Sequence, residues 1–194
     1  MAFRWCAIVA GIVFAALLVA ACNDGGVSNG DATAGPTATP PAGPLEITVY
    51  YGNEVDDPGR TDCSRVIGSV REVIPTGTLA ETVLRELFAG PSEGEVVEGF
   101  VSEFSAATAD ILISFRVEGG TAYVNLTDIR TLIPNASSSC GSASFFAEVE
   151  TTLAKVVSVE RVIFAIEGDP EPFYEFVQLG CDETNDNCDT TPFQ

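Results

Sequence analysis

The sequence predicts an α/β fold of α+β type, a single mixed sheet with two helices packed on one face in the order β-β-α-β-β-α-β-β. Three features carry that expectation: short runs with an apolar residue at every second position, two stretches where apolar residues recur every three or four, and turn residues at the joins. Together they occupy Leu45 to Leu179, about 135 residues, enough for one core of ordinary size. Helices on one face of such a sheet hide the apolar side of both.

The first strand is Leu45-Glu46-Ile47-Thr48-Val49-Tyr50-Tyr51, with Leu45, Ile47, Val49 and Tyr51 on one face. Gly52 to Ser64 is polar, and Asp56-Asp57-Pro58-Gly59 supplies turn residues. Val66 to Ile74 reads as a second strand, although Val66, Val70 and Ile74 also suit a helix face, and Pro75 closes it. The first helix follows Thr78-Leu79-Ala80-Glu81, a capping box in which hydroxyl and carboxylate cover exposed N–H groups. Val83, Leu84, Leu87 and Phe88 form its inner face, Glu81 and Arg85 pair along it, and Gly90-Pro91 stops it.

Ser92 to Ala109 reads as a long loop. Ile111, Ile113, Phe115 and Val117 then share one strand face, Gly119-Gly120 is a hairpin turn, and the return strand Thr121–Leu126 buries Ala122, Val124 and Leu126. A second helix is expected from about Ala143 to Val156 with Phe145, Phe146, Val149, Leu153 and Val156 inward. Val159 to Ile166 is apolar on both faces, as in a central strand. Gly168-Asp169-Pro170 turns the chain, Phe173 to Leu179 reads as a last strand, and Cys181 to Gln194 is a polar, acidic tail.

Before Leu45 the chain is of another kind. Trp5 to Ala21 holds no charged residue, and Val19-Ala20-Ala21-Cys22 ends that run in small residues and a cysteine before the polar Asn23-Asp24. This resembles the lipobox of bacterial lipoproteins, with Val19 where leucine is usual. It implies a signal peptide over 1–21 and a lipid on the Cys22 thiol. An uncleaved anchor helix is the alternative, and the scarcity of flanking basic residues weighs against it. Either way the rest of the chain lies outside the cytoplasm. Residues 22–44, rich in Gly, Ala, Thr and Pro, form a linker able to hold a domain over residues 45–180 within ~25 Å of its anchor.

Cleavage before Cys22 removes Arg4 and no acid, which leaves eight basic against 28 acidic residues. Such a surface repels phosphate backbones, so nucleic acid is not an expected partner. It also repels anionic headgroups, so the membrane would be held through the lipid alone.

Cys6 lies in the signal, leaving Cys63, Cys140, Cys181 and Cys188. Four cysteines in an oxidising compartment suggest two disulfides with three possible pairings. Cys181 and Cys188 flank turn residues and are the preferred short pair, with Cys63 then meeting Cys140. A Cys140–Cys181 bridge remains an alternative.

Few catalytic reagents are present. The chain has no histidine, which excludes serine–histidine and cysteine–histidine nucleophiles and weakens a metal site. Lys155, the only lysine, lies outside any phosphate-binding glycine loop. Glu93, Glu95, Glu98 and Glu103 could in principle supply a glycosidase pair, but in so acidic a loop they read as solvated. Cys181 to Asp189 could offer oxygen ligands to calcium, yet it lacks the glycine and terminal glutamate of an EF-hand. No cofactor, metal or catalytic residue is expected. Tyr50, Tyr51, Tyr123, Tyr174 and Phe176 are aromatic candidates for a partner contact.

Four segments resemble one family in the right order. Thr78 to Pro91 is similar to the helix ending in leucine-x-x-glycine-proline of the GerM-like (GerMN) domain, and Gly99-Phe100-Val101-Ser102 to its glycine-aromatic-x-serine step. Glu118 to Leu126 resembles its hairpin, and Thr151-Thr152-Leu153 before Val159-Glu160-Arg161-Val162 its second helix and next strand. The resemblance implies a fold like the small α/β ring-building modules of secretion and sporulation complexes. It also implies an interaction or assembly role, with an envelope protein as partner and no catalysis. A small-molecule or cell-wall glycan binding or hydrolysing protein is the alternative. A deep pocket with two nearby carboxylates would favour that alternative, and a flat, partly apolar patch the first reading.

Overall fold

A computed structural model describes residues 43–181 and 187–194. The expected signal peptide, Cys22 and nearly all of the linker lie outside the described residues, as do residues 182–186 of the tail. The elements run β1 (Leu45–Asn53), β2 (Ile67–Val73), α1 (Leu79–Phe88), α2 (Glu93–Val97), β3 (Phe100–Val101), β4 (Leu112–Glu118), β5 (Thr121–Leu126), α3 (Ser139–Ala154), β6 (Arg161–Ile166) and α4 (Pro170–Phe176). Short 3₁₀ turns lie at Ala106–Thr108, Pro134–Ser137 and Thr191–Phe193.

The class is mixed α+β, but the expected single sheet is replaced by two of three strands, ordered β2-β1-β3 and β4-β5-β6. The first is antiparallel, and in the second β6 runs parallel to β5. A helix takes part of the position a joining strand would need: the Tyr50 N–H donates to Thr152 Oγ1 of α3 at 3.0 Å.

α1 carries the expected capping box, with Thr78 accepting from the Glu81 N–H and Glu81 from the Thr78 N–H. Its buried face holds Val83, Leu84, Leu87 and Phe88. α3 begins four residues earlier than its periodicity suggests, because Ser138 caps the Gly141 N–H. Phe145, Val149 and Leu153 are buried, while Phe146 and Val156 are half-buried. Gly119 and Gly120 both take positive φ, as the two-residue turn from β4 to β5 requires.

Four other expectations are corrected. Ser92–Ala109 is not a plain loop, since Ser92 and Ser105 cap α2 and a 3₁₀ turn around β3. β4 does not keep one alternating face. Leu112 faces Leu126 and Ser114 faces Asn125, so Ile113 is an extra residue in a bulge. That brings Leu112 inward beside Ile111 and leaves Ile113 48 % exposed.

The other two concern the C-terminal region. Phe173–Leu179 is not a strand. Asp169 caps the Glu171 N–H and Pro170 occupies the first turn, so the residues read as a turn instead start α4. β6 is therefore an edge strand. α4 closes its side, where the Phe164 N–H donates to Tyr174 Oη at 3.3 Å. Phe173 of α4 stacks on Phe164 at 4.9 Å, and Phe145 of α3 meets the same ring edge-on at 5.3 Å. Helices thus account for the burial that had suggested a central strand.

Candidate functional site

The structure brings Cys63 to Cys140, with Cα atoms 5.3 Å apart, and Cys181 to Cys188 at 5.4 Å. Both separations suit disulfides without backbone movement. The four loop carboxylates do not converge. Glu93 and Glu98 are exposed, whereas Glu95 and Glu103 join separate polar clusters.

Glu95 is buried against Arg71 of β2. Arg71 donates from Nε at 2.9 Å and Nη2 at 2.5 Å to the two carboxylate oxygens. The same guanidinium donates to the carbonyls of Glu86 and Gly90 at 2.7 and 2.8 Å. Ser69 Oγ and the Ser92 N–H complete the Glu95 shell at 2.5 and 2.6 Å. Burial alone would raise the Glu95 pKa, but the donors from Arg71, Ser69 and Ser92 outweigh it and hold the carboxyl at about 2. This carboxylate joins β2, the end of α1 and the start of α2, so it is structural. The Arg71 guanidinium also lies 5.5 Å from the Tyr51 ring.

A second cluster lies at the start of α3. Glu148 is 1 % exposed, accepting from Ser102 Oγ at 2.5 Å and Ser144 Oγ at 3.4 Å. Burial pushes its pKa up to about 8, against the pull of those hydroxyls and of Arg60. Arg60 reaches over from the β1–β2 loop, donating to Ser144 Oγ at 2.6 Å. With Ser102, Glu103, Asn135, Cys140 and Gly141 it lines a pocket of about 240 Å³. The glycine-aromatic-x-serine step pointed to Ser102, but nothing singled out Glu148. Its signal is a polar residue on the inner stripe Phe145, Glu148, Val149, Thr152.

Glu148 sets a pH dependence of stability. Its folded pKa lies above the ordinary carboxyl value of 4.5, so its contribution is complete below that value and is lost as pH rises through about 8. Glu148→Gln keeps the shape and removes the titration. In urea denaturation it should stabilise the protein at pH 8 by roughly 4 kcal/mol relative to its effect at pH 4.5. An equal effect at both pH values would contradict this assignment.

The aromatic candidates are not exposed anchors. Tyr51 and Tyr174 are buried, and Tyr50, Tyr123 and Phe176 are half-buried. Tyr123 is covered edge-on by Phe193 at 5.7 Å. Apolar exposure lies instead beside β4. Phe115 and Val117 face the same side as Val124 and Ala122, but the cover stops short of them. Leu79 and Val117 are 41 % and 39 % exposed and, with Ala80, Phe115, Val156 and Val157, line an open groove of about 350 Å³. β4 is also the edge of its sheet, and among the described residues no strand pairs with its outer side. Among the described residues there is no group of Cys, Asp and Glu able to hold a metal ion, and no helix long and apolar enough to cross a membrane.

A family model described as "Germane: Sporulation and spore germination" matches residues 48–172. The chain belongs to the Germane family. The match begins within β1 and ends within α4, so the Germane domain contains both sheets, both polar clusters and the β4 edge. The family is described by a process and not by a reaction. No curated protein matches the chain. A solved structure, "Putative Lipoprotein from Clostridium perfringens", is similar at 19 % identity and a TM-score of 0.36, covering 68 % of this chain and 80 % of that one.

Proposed function

We propose that the chain is a lipid-anchored, non-catalytic module of the bacterial cell envelope, whose Germane domain receives an extended segment of a basic protein partner along β4. The free edge of β4 beside an apolar groove carries this reading. An edge strand offers unpaired N–H and C=O groups in a row, and alternate side chains of an added strand can fill neighbouring pockets. The excess of 28 acidic over nine basic residues favours a basic partner and opposes self-association. The lipobox-like Val19-Ala20-Ala21-Cys22 supports the anchor, and the family's link to spore formation agrees with an envelope role. The open pocket beside Arg71 is rimmed by Glu72, Glu86 and Glu93, but Glu86 is paired with Arg71. Neither buried carboxylate, Glu95 or Glu148, lines the pocket next to it, so among the described residues no buried acid is placed to protonate a glycoside.

A photo-crosslinker at Arg116, which lines the same groove, used in intact membranes, should capture a basic segment of an envelope protein. Leu79→Asp with Val117→Asp should weaken capture at least about tenfold, a binding loss of 1.4 kcal/mol. Both residues are more than a third exposed, so the protein should still melt cooperatively, at a somewhat lower temperature because each loses covered apolar surface. Capture that survives both changes would overturn the β4 assignment. Mass spectrometry should find a mature chain starting at acylated Cys22, and an unmodified chain starting earlier would overturn the anchor.

A further inference from the structure

We infer that the polar pocket at the start of α3 binds a small zwitterion, a free amino acid or short peptide carrying both an ammonium and a carboxylate. Arg60 supplies the cation of the site. No carboxylate lies within salt-bridge distance of it among the described residues. Its protein bonds are to Ser144 Oγ at 2.6 Å and, at 3.5 Å, to the Val101 carbonyl. Glu148, the buried carboxyl behind those serines, is held largely neutral at pH 7 and does not cancel that charge. Half-buried guanidinium with donors to spare is the group that recognises a carboxylate in two-pronged fashion.

A bare anion is disfavoured, because the chain carries a net charge of −19 and Glu103 lines the same pocket. Glu103 Oε1 accepts from Asn135 Nδ2 at 2.6 Å, which leaves Oε2 to receive an ammonium. One molecule bearing both charges satisfies both walls. Ser102, Ser144 and Asn135 add neutral hydrogen-bonding groups between them.

The backbone is built around this arrangement. Arg60 takes φ +50°, a left-handed conformation that is uncommon in a residue with a side chain and that collects at binding sites. A Cβ at Gly52 would lie 1.4 Å from Arg60 Nη1, and one at Gly141 would lie 1.9 Å from the Asn135 carbonyl oxygen. Both glycines let pocket groups sit against main chain. Cys63 lies three residues after Arg60, and Cys140 adjoins Gly141, so the approach of the two cysteines pins the arginine's loop to the helix start.

Isothermal titration of the purified, oxidised protein with alanyl-alanine tests the assignment. Saturable heat is expected, with at least tenfold weaker binding for the methyl ester, which lacks the carboxylate, and for the N-acetyl form, which lacks the ammonium. Arg60→Gln should reduce affinity for the free dipeptide as capping the carboxylate does, and Glu103→Gln as capping the amine does. Absence of saturable heat up to about 10 mM dipeptide, a range that reaches well past a millimolar Kd, would overturn the inference. Equal binding of either capped form, or of the Glu103→Gln protein, would also overturn it. Should Arg60→Gln lose its melting transition, the capped dipeptides and Glu103→Gln decide alone. The partner contact at β4 is tested separately and can stand or fall without this site.

Discussion

Replacing Cys63 and Cys140 together with serine should lower the stability of the oxidised protein by roughly 4–5 kcal/mol, the largest effect expected of any change outside the core. The two cysteines are 77 residues apart, and a bridge between them removes the loop-closure entropy of that segment from the unfolded chain. The Cα separation of 5.3 Å implies that the folded backbone need not strain to close it. Reductant should cost the unsubstituted protein at least as much as the double substitution does. The double-serine protein should lose only the smaller contribution of the short Cys181–Cys188 bridge, roughly 2 kcal/mol. Peptide mapping without reduction reads the pairing directly. A Cys140–Cys181 peptide, or equal stability with and without reductant, would refute the expectation.

Arg71→Ala should cost about 3 kcal/mol, at the lower end for breaking a buried pair, because Arg71 retains 14 % side-chain exposure and Glu95 9 %. The loss comes less from the attraction itself than from what is left behind. Glu95 would keep its burial without its main donor, and the carbonyls of Glu86 and Gly90 would each lose a donor. Adding Glu95→Gln should recover part of the loss, so the double variant should be less destabilised than the sum of the singles. Glu95 is held well below its ordinary value, so its contribution is present above about pH 4.5 and is lost as pH falls toward 2. Arg71→Ala should flatten that acid limb of the stability profile. Strict additivity with Glu95→Gln would show that the pair does not act as a unit.

Much of the fold was legible where a local rule and the tertiary packing agree. The Thr78 capping box, the Gly119-Gly120 turn and the inner faces of β1, α1 and β5 follow from spacing and from chemistry within a few residues. Where packing decides, spacing misled. Ile113 belongs to an unbroken alternation in the sequence, and only its opposition to Leu126 and Asn125 shows it to be the extra residue of a bulge. Phe173 and Tyr174 look like strand residues until Asp169-Pro170 is recognised as a helix start.

The polar sites were less legible, because acids in a charged segment look alike. Glu95 on one short helix and Glu98 at its C-cap differ by three positions, yet one is buried against an arginine and the other is exposed. Glu148 carried a usable signal, a charge on an apolar stripe. Its partners Ser102 and Arg60 lie 46 and 88 positions away, and spacing cannot bring such residues together.

The Arg71 cluster also bears on the order in which the chain gains its shape. Its bonds to Glu86, Gly90 and Glu95 span only 15, 19 and 24 residues, so they close short loops at low entropic cost. The bonds that tie in α3 span 84 residues from Arg60 to Ser144 and 102 from Tyr50 to Thr152. Contacts of such high sequence separation close only at a larger entropic cost. A chain emerging N-terminus first can therefore assemble β1, β2, α1 and α2 around one guanidinium while α3 is still unmade. The half that carries Arg60 would then wait, already shaped, for the helix that completes the pocket.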